Sequence, residues 1–172
     1  MNKREDVILL APAGGIGIEL GIAEGEFAER VCSKKHLSKW YGVDMYRGDR
    51  NHNDNQMNKM LKRLSKYEEY QFIRSTFEEA LNRFEDEYFD IVYVDGYAHT
   101  GQEDGKTLDQ WYQKVKPGGI ISGDDYTDSY KYNKETVNKF LQKNGLSINI
   151  IGVGESNTKW SKNPTWWTRK PL

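Results

Sequence analysis

The chain has 172 residues, a length that suits one domain with a single core, and we expect residues 1–172 to form one domain. Its 25 Lys and Arg residues nearly balance its 26 Asp and Glu residues, so no excess of charge favours nucleic acid as a partner. No apolar run is long enough to span a membrane, and the single cysteine, Cys32, excludes an internal disulfide, which favours a reducing, cytoplasmic location.

Strand-like apolar runs alternate with helical patterns along the chain. The predicted strands are, in order, IGIEL, KWYGVDMY, YQFIRS, FDIVYVDG and GIISGDD. The predicted helices are GEFAERVCSKK, NQMNKMLKRLSKY, FEEALNRF, GKTLDQWYQKV and TVNKFLQKN. An N-terminal run that starts at Val7 is also strand-like, and Pro117 with the two glycines after it should end the fourth helix. SINIIGVG and the Trp-rich tail are predicted to form an antiparallel pair.

This alternation predicts a doubly wound α/β fold with a mainly parallel sheet. Ligands of such sheets bind beyond the carboxyl ends of the strands. The predicted strands deliver polar or acidic side chains to that edge: Glu19, Asp44, Ser75, Asp95 and the pair Asp124 and Asp125. The sequence therefore predicts a ligand site there.

A dinucleotide is one candidate ligand for a glycine turn after the first strand. Its fingerprint, G-x-G-x-x-G, should follow the strand and open a helix. Gly15 and Gly17 precede the strand instead, and the place of the third glycine is taken by Leu20. Glu24, in the turn that does follow the strand, would repel a pyrophosphate. These features disfavour a nicotinamide cofactor.

S-adenosylmethionine suits the same turn better, because it carries an ammonium, a sulfonium and a ribose diol but no phosphate. Acids at the strand ends suit those groups, and glycines let the backbone approach closely. We expect Asp44 to accept hydrogen bonds from the ribose, and residues 75–77 to frame the adenine. The predicted cofactor-binding residues are Glu19, Gly21, Gly25, Asp44, Met45, Ser75, Thr76, Phe77 and Asp95.

Four segments, IELGIAEGEFA, YGVDMY, DIVYVDG and VKPGGIISGDDY, together resemble the class I S-adenosylmethionine-dependent methyltransferases. Within that superfamily the chain resembles the small O-methyltransferases of the macrocin and catechol type. The resemblance implies a seven-stranded sheet with a C-terminal antiparallel pair. It also implies transfer of a methyl group to a hydroxyl of a small molecule or sugar.

A metal site is the second expectation at this edge. If the fourth and fifth strands are adjacent, Asp95, Asp124 and Asp125 converge, and three such oxygen ligands suit Mg²⁺ or Ca²⁺. Metal-dependent members of the resembling family hold a divalent ion on acids at the matching positions, where the ion would activate an acceptor hydroxyl. The alternative is that Asp124 and Asp125 only bond to turn backbone and that no metal binds.

His99 lies four residues after Asp95, in a loop at the same edge. A histidine there could take the proton of an acceptor hydroxyl, because imidazole exchanges protons near neutral pH. The alternative for His99 is a hydrogen bond to its loop or to Asp125 only. Asp95 could itself serve as the base if no metal binds. Tyr97 and Tyr126 could line the acceptor pocket, and the loop with His52 could cover it.

Two rival functions stay open. One is a metal-independent methyltransferase that acts on nitrogen or on a carboxylate. The other is a non-catalytic S-adenosylmethionine-binding protein, whose acceptor pocket would be incomplete. We expect a small-molecule acceptor as partner, and no nucleic acid or membrane. A homodimer is also conceivable, because the aromatic tail with Trp160, Trp166 and Trp167 could contact a sugar or a second copy.

Overall fold

A computed structural model describes residues 1, 3–47, 52–152 and 163–172 of the chain. The strands are β1 (Ile16–Leu20), β2 (Lys39–Asp44), β3 (Tyr70–Arg74), β4 (Phe89–Val94), β5 (Val115–Gly123), β6 (Asn149–Ile151) and β7 (Thr165–Arg169). The helices are α1 (Glu26–Ser33), α2 (Asp54–Leu64), α3 (Phe77–Leu81), α4 (Gly101–Asp104), α5 (Lys106–Gln113) and α6 (Lys131–Lys143). Short 3₁₀ helices cover Arg4–Leu10, Ala98–Thr100 and Asp128–Tyr130.

All seven strands form one sheet in the order β3-β2-β1-β4-β5-β7-β6. The pairs among β1 to β5 are parallel, whereas β7 runs antiparallel to both β5 and β6. The predicted α/β fold, its seven strands and its C-terminal antiparallel pair are therefore confirmed. Since β1 lies between β2 and β4, the strand order reverses there, and a crevice is expected beyond the carboxyl ends of these strands.

Two layers of side chains cover the sheet. On one face, Ile18 and Val92 of the sheet pack with Trp111 of α5 and Phe140 of α6. On the other face, α1, α2 and the N-terminal 3₁₀ helix bury their apolar side chains against Trp40, Ile91, Tyr93 and Ile120. Burial on both faces explains why β4 has no exposed residue and is apolar throughout residues 91–94.

The N-terminal apolar run is helical, and the prediction of a strand-like run from Val7 was wrong. Val7 and Ile8 are fully buried, whereas Leu9 is 48% exposed. Two adjacent residues that face the core suit a helical turn, because successive side chains of a strand point to opposite faces. The apolar residues of the sequence alone did not distinguish a helical turn from a strand.

The fourth predicted helix ends before its proline. Helix α5 ends at Gln113, and β5 already begins at Val115, which pairs with Phe89. The register then shifts, so that Ile91 pairs with Ile120. Pro117 lies within this irregularity, where a residue without an N–H is tolerated in a strand.

No helix among the described residues is both long enough and apolar enough to cross a bilayer. The aromatic tail is only partly described. Trp166 is 1% exposed and packs in the core, Trp167 packs against its edge, and Trp160 lies outside the described residues.

The centre of the sheet depends on the absence of a side chain at position 17. A Cβ on Gly17 would lie 2.4 Å from the Trp40 ring and 2.8 Å from Ile91 Cγ2. We expect Gly17→Ala to lower the free energy of unfolding by about 1–3 kcal/mol, as overpacking of a rigid core usually does. Urea unfolding followed by circular dichroism measures the change.

Gly152→Ala is the matched control, because a Cβ there meets no described residue within 4 Å. Its stability should stay within about 0.5 kcal/mol of the unmodified protein. Equal effects of the two substitutions would contradict the packing explanation.

Candidate functional site

A cleft of about 180 Å³ opens beyond the carboxyl ends of the strands. The ends of β1, β2 and β3 contribute one side of it, with Gly21, Asp44, Met45, His52, Ser75 and Phe77. The segments after β4 and β5 contribute the other side, including Asp95, Tyr97, His99, Asp125 and Tyr130. The structure therefore brings most of the predicted site residues into one cavity.

Asp44 is held in place by backbone groups. Its Oδ2 accepts hydrogen bonds from the N–H groups of Ile22 at 3.0 Å and Ala23 at 3.3 Å, and its Oδ1 accepts from the Tyr46 N–H at 3.0 Å. His52 Nδ1 lies 3.4 Å from Oδ2. Although burial opposes it, the hydrogen bonds from His52 and the backbone hold the pKa of Asp44 below its usual value. Asp44 is thus an ionised, oriented acceptor at the cleft.

The two glycines of the turn have different places. Gly21 has a φ of 94° and lines the cleft, and a Cβ there would lie 2.7 Å from the carbonyl oxygen of Asp95. Gly25 does not line the cleft: it begins α1 with a φ of 76°, and its α-carbon faces Met60 and Leu64 of α2. Helix packing explains this glycine, and its predicted contact with the cofactor stays a prediction.

Of the three residues predicted to bind the cofactor after β3, two line the cleft and one does not. Ser75 and Phe77 line the cleft, and the Phe77 ring lies 4.7 Å from the Tyr97 ring. Thr76 does not line the cleft, because its side chain caps α3 by accepting from the Glu79 N–H. Capping alone accounts for Thr76, which the sequence had placed with the cofactor residues.

Glu19 lies beneath the cleft instead of lining it. Its side chain is 1% exposed, and its Oε2 has no hydrogen-bond partner in the described structure. Burial, reinforced by the charge of Asp95, raises the pKa of Glu19 well above its usual value. Its predicted contact with the cofactor stays a prediction.

Asp95 and Asp124 converge, as predicted, but on a residue of the chain. Arg4 Nη2 lies 3.2 Å from Asp95 Oδ2, and Arg4 Nη1 donates a hydrogen bond to Asp124 Oδ2. Burial raises the pKa of Asp124 to about 6 and that of Asp95 well above its usual value, while Arg4 opposes both shifts. Burial alone lowers the pKa of Arg4, but the surrounding acids more than offset this, so Arg4 stays charged.

The contacts of Asp125 differ from those of Asp95 and Asp124. It has a φ of 58°, lines the cleft and accepts a hydrogen bond from the Asn163 side chain. Within the described ranges no group of three or more His, Cys, Asp or Glu side chains is arranged to hold a metal ion. The predicted site on Asp95, Asp124 and Asp125 does not fit a divalent ion, because two of the three carboxylates are bound to Arg4 and the third accepts from Asn163.

The loop that carries His99 has an unusual backbone. His99 is exposed at the cleft, and its ring lies 5.0 Å from the Tyr130 ring. Residues 101–105, which include the four residues of α4, all have positive φ and form a left-handed turn. This conformation costs free energy in non-glycine residues. Gln102 anchors this turn through a bond to Asn133, which in turn donates to the Asp124 and Asp125 carbonyls. The His99 loop is thereby fixed to the end of β5.

Sequence reasoning missed two residues of this site. Arg4 lies outside every quoted motif, and a lone basic residue before an apolar run gave no signal. Tyr130 lies between the fifth strand and the last helix, where composition alone predicts only a loop. By contrast, Tyr126, predicted as an acceptor contact, does not line the cleft and donates its hydroxyl to Asn138 on α6.

Comparison with known proteins agrees with this architecture. Residues 18–126 match the family described as "Methyltransferase domain". No curated protein sequence matches the chain. The fold is similar to that of a putative rRNA methylase from Clostridium thermocellum, with a TM-score of 0.70 and 16% identity over 100% of this chain and 98% of the other.

Two further structures are similar. The N-methyltransferase NodS from Bradyrhizobium japonicum gives a TM-score of 0.67 and 16% identity over 96% of this chain and 90% of the other. The CurJ carbon methyltransferase gives 0.67 and 13% identity over 93% of this chain, which spans only 49% of that protein. At these identities the likeness concerns the fold alone, whereas the family match covers more than half of the sequence. The chain therefore belongs to the class I S-adenosylmethionine-dependent methyltransferase domain family.

Proposed function

We propose that the protein transfers a methyl group from S-adenosylmethionine to a hydroxyl oxygen of a small molecule or sugar. The observation that carries the proposal is the composition of the cleft at the carboxyl ends of the strands. Its β1–β3 side holds an oriented carboxylate, and its β4–β5 side holds an exposed histidine among aromatic rings. The narrower resemblance to macrocin- and catechol-type enzymes stays a prediction, since the similar structures are named as rRNA, nitrogen and carbon methyltransferases.

The β1–β3 side would hold the cofactor. Asp44 Oδ2 already accepts from Ile22, Ala23 and His52, whereas Oδ1 accepts from the Tyr46 N–H and can take one further hydrogen bond, from a ribose hydroxyl. Gly21 lets the cofactor approach the backbone, and Ser75 with Phe77 offers a hydroxyl and a ring to the adenine. When bound, the cofactor supplies a methyl group on a positively charged sulfur.

The β4–β5 side would hold the acceptor. His99 is placed to take the proton that the acceptor hydroxyl loses as the new carbon–oxygen bond forms. Tyr97 and Tyr130 flank it as aromatic walls for a small organic acceptor. Asp95 and Asp124 are excluded from a metal-assisted step, because Arg4 occupies both carboxylates.

Methyl transfer to nitrogen or to a carboxylate is the second candidate. The ion pairs of Arg4 with Asp95 and Asp124 favour this candidate, because they leave these acids no room for a metal ion. A neutral amine or an ionised carboxylate needs no metal to become nucleophilic. A non-catalytic cofactor-binding protein would use the same β1–β3 side without the chemistry at His99. Binding and turnover experiments separate these three.

Asp44→Asn should weaken the binding of S-adenosylhomocysteine by about tenfold to a hundredfold, the usual loss for a hydrogen bond to a charged group. Isothermal titration calorimetry measures the dissociation constants. Asp86→Asn is the control, because that exposed carboxylate pairs with Lys114 and is not part of the cleft. Failure of the unmodified protein to bind the ligand would refute the proposed cofactor site.

His99→Gln should lower kcat by about 10²-fold to 10⁴-fold while leaving the affinity for S-adenosylhomocysteine within about twofold, because only proton transfer is removed. Release of S-adenosylhomocysteine is measured with hydroxylated, amine and carboxylate acceptors. His36→Gln serves as control, since His36 bonds to the Ala11 carbonyl away from the cleft.

Each outcome of that screen selects one function. Turnover of hydroxylated compounds that depends on His99 supports the proposal. Turnover of amines or carboxylates alone, insensitive to His99→Gln, would favour the second candidate. Tight cofactor binding with no turnover of any acceptor class would favour a non-catalytic role.

A further inference from the structure

Arg4 is the residue at the acidic strand ends that the proposed function leaves unused. It begins the N-terminal 3₁₀ helix, and its side chain is only 10% exposed. Its Nη2 lies 3.2 Å from Asp95 Oδ2, and its Nη1 bonds to Asp124. One guanidinium thus bridges the carboxylates that follow two adjacent parallel strands.

The guanidinium lies in a formed pocket. Its central carbon lies 4.6 Å from the centroid of the Phe27 ring, a distance typical of a cation–π contact. Phe27 stacks in turn on Tyr93, with ring centroids 4.1 Å apart and planes at 25°. The guanidinium is therefore held by a contact with the Phe27 ring and by ion pairs with Asp95 and Asp124.

The helix that carries Arg4 is anchored independently of the acids. Val7 and Ile8 are fully buried against the sheet, and Lys34 of the segment after α1 lies 2.8 Å from Asp6 Oδ1. These contacts hold the start of the helix over the ends of β1, β4 and β5. Arg4 is therefore delivered to the acids by the fold and not merely attracted to them.

We propose that Arg4 is the resident cation of this edge, and that it occupies the place a divalent ion would need. A metal ion on Asp95 and Asp124 would have to displace a guanidinium that cannot lose its proton. The displaced group would then be a buried charge without a partner, which is strongly unfavourable. The two carboxylates become available for a metal ion only when Arg4 is removed.

This assignment extends the proposed function and rests on it in one respect, namely that methyl transfer proceeds without a divalent ion at these acids. Arg4 acts here as a positioning residue. It pairs with Asp95 at the cleft and, by binding Asp124 as well, keeps the end of β5 close to the end of β4. The binding of a metal ion, unlike turnover, can be tested without knowledge of the acceptor.

The test is titration with Mn²⁺ alone, read from the electron paramagnetic resonance signal of the free ion. The unmodified protein should show no Mn²⁺ site that depends on Asp124. Arg4→Ala should bind one Mn²⁺ per chain at least tenfold more tightly than the unmodified protein, because the acids lose their counter-charge and gain space. Adding Asp124→Asn to Arg4→Ala should abolish that gain.

Lys34→Ala is the matched control, since it removes an ion pair of the same helix but uncovers neither Asp95 nor Asp124. It should gain no Mn²⁺ site. Arg4→Met keeps the apolar contact with Phe27 and replaces Arg4→Ala if the alanine variant fails to fold, as judged by circular dichroism. If neither variant folds, the unmodified protein decides: a Mn²⁺ site removed by Asp124→Asn overturns the proposal, and exclusion of Mn²⁺ supports it.

Two results would overturn the assignment. One is an Asp124-dependent Mn²⁺ site in the unmodified protein. The other is a folded Arg4→Ala or Arg4→Met variant that binds Mn²⁺ no better than the unmodified protein. Loss of methyl transfer in every variant would count against the proposed function only, because the Mn²⁺ measurement involves neither cofactor nor acceptor.

Discussion

Negative charge collects at the carboxyl edge of the sheet, and the arrangement of that edge depends on how the charge is balanced. Parallel strands all end on the same side, so the acids at the carboxyl ends of β1, β2, β4 and β5 are brought close to one another. Buried carboxylates that face each other repel, and burial penalises each of them separately. Backbone N–H groups bind Asp44, Arg4 binds both Asp95 and Asp124, and Asn163 binds Asp125, whereas Glu19 Oε2 has no hydrogen-bond partner among the described residues.

These separate partners divide the edge into two regions. Asp44 and Asp125 line the cleft, whereas Asp124 does not line it and is bound to Arg4 in the interior. The neighbours Asp124 and Asp125 differ because the chain turns between them with a positive φ at the second residue. A pair of adjacent acids in the sequence thus becomes one interior ion pair and one cleft-lining group.

The backbone of the cleft is shaped by conformations that are costly in isolation. Gly21, Tyr97, Asp125 and the turn over residues 101–105 all have positive φ. Such conformations persist where the surroundings fix them, and here a buried chain of amide contacts through Gln102 and Asn133 ties the His99 loop to β5. The position of His99 relative to the cleft follows from these contacts, which join residues far apart in the sequence.

The sequence by itself determined the class of fold, the ends of most strands and the edge at which the acids gather. The period of the apolar residues and the punctuating glycines carry that information locally, because strand and helix differ in repeat. It also indicated Asp44, Gly21, Ser75, Phe77 and His99, which do meet at one cleft.

Only the tertiary structure decided what each acid contacts. Gly25 and Thr76 lie in the same predicted segments as Gly21 and Ser75, which line the cleft. Gly25 instead packs against α2, and Thr76 caps α3. The N-terminal apolar run, read as strand-like, is a helix that carries Arg4 to residues about a hundred positions away in the chain. A charge that arrives from a distant segment leaves no local pattern, and for that reason three acids in the sequence predicted a metal site where the folded protein places its own guanidinium.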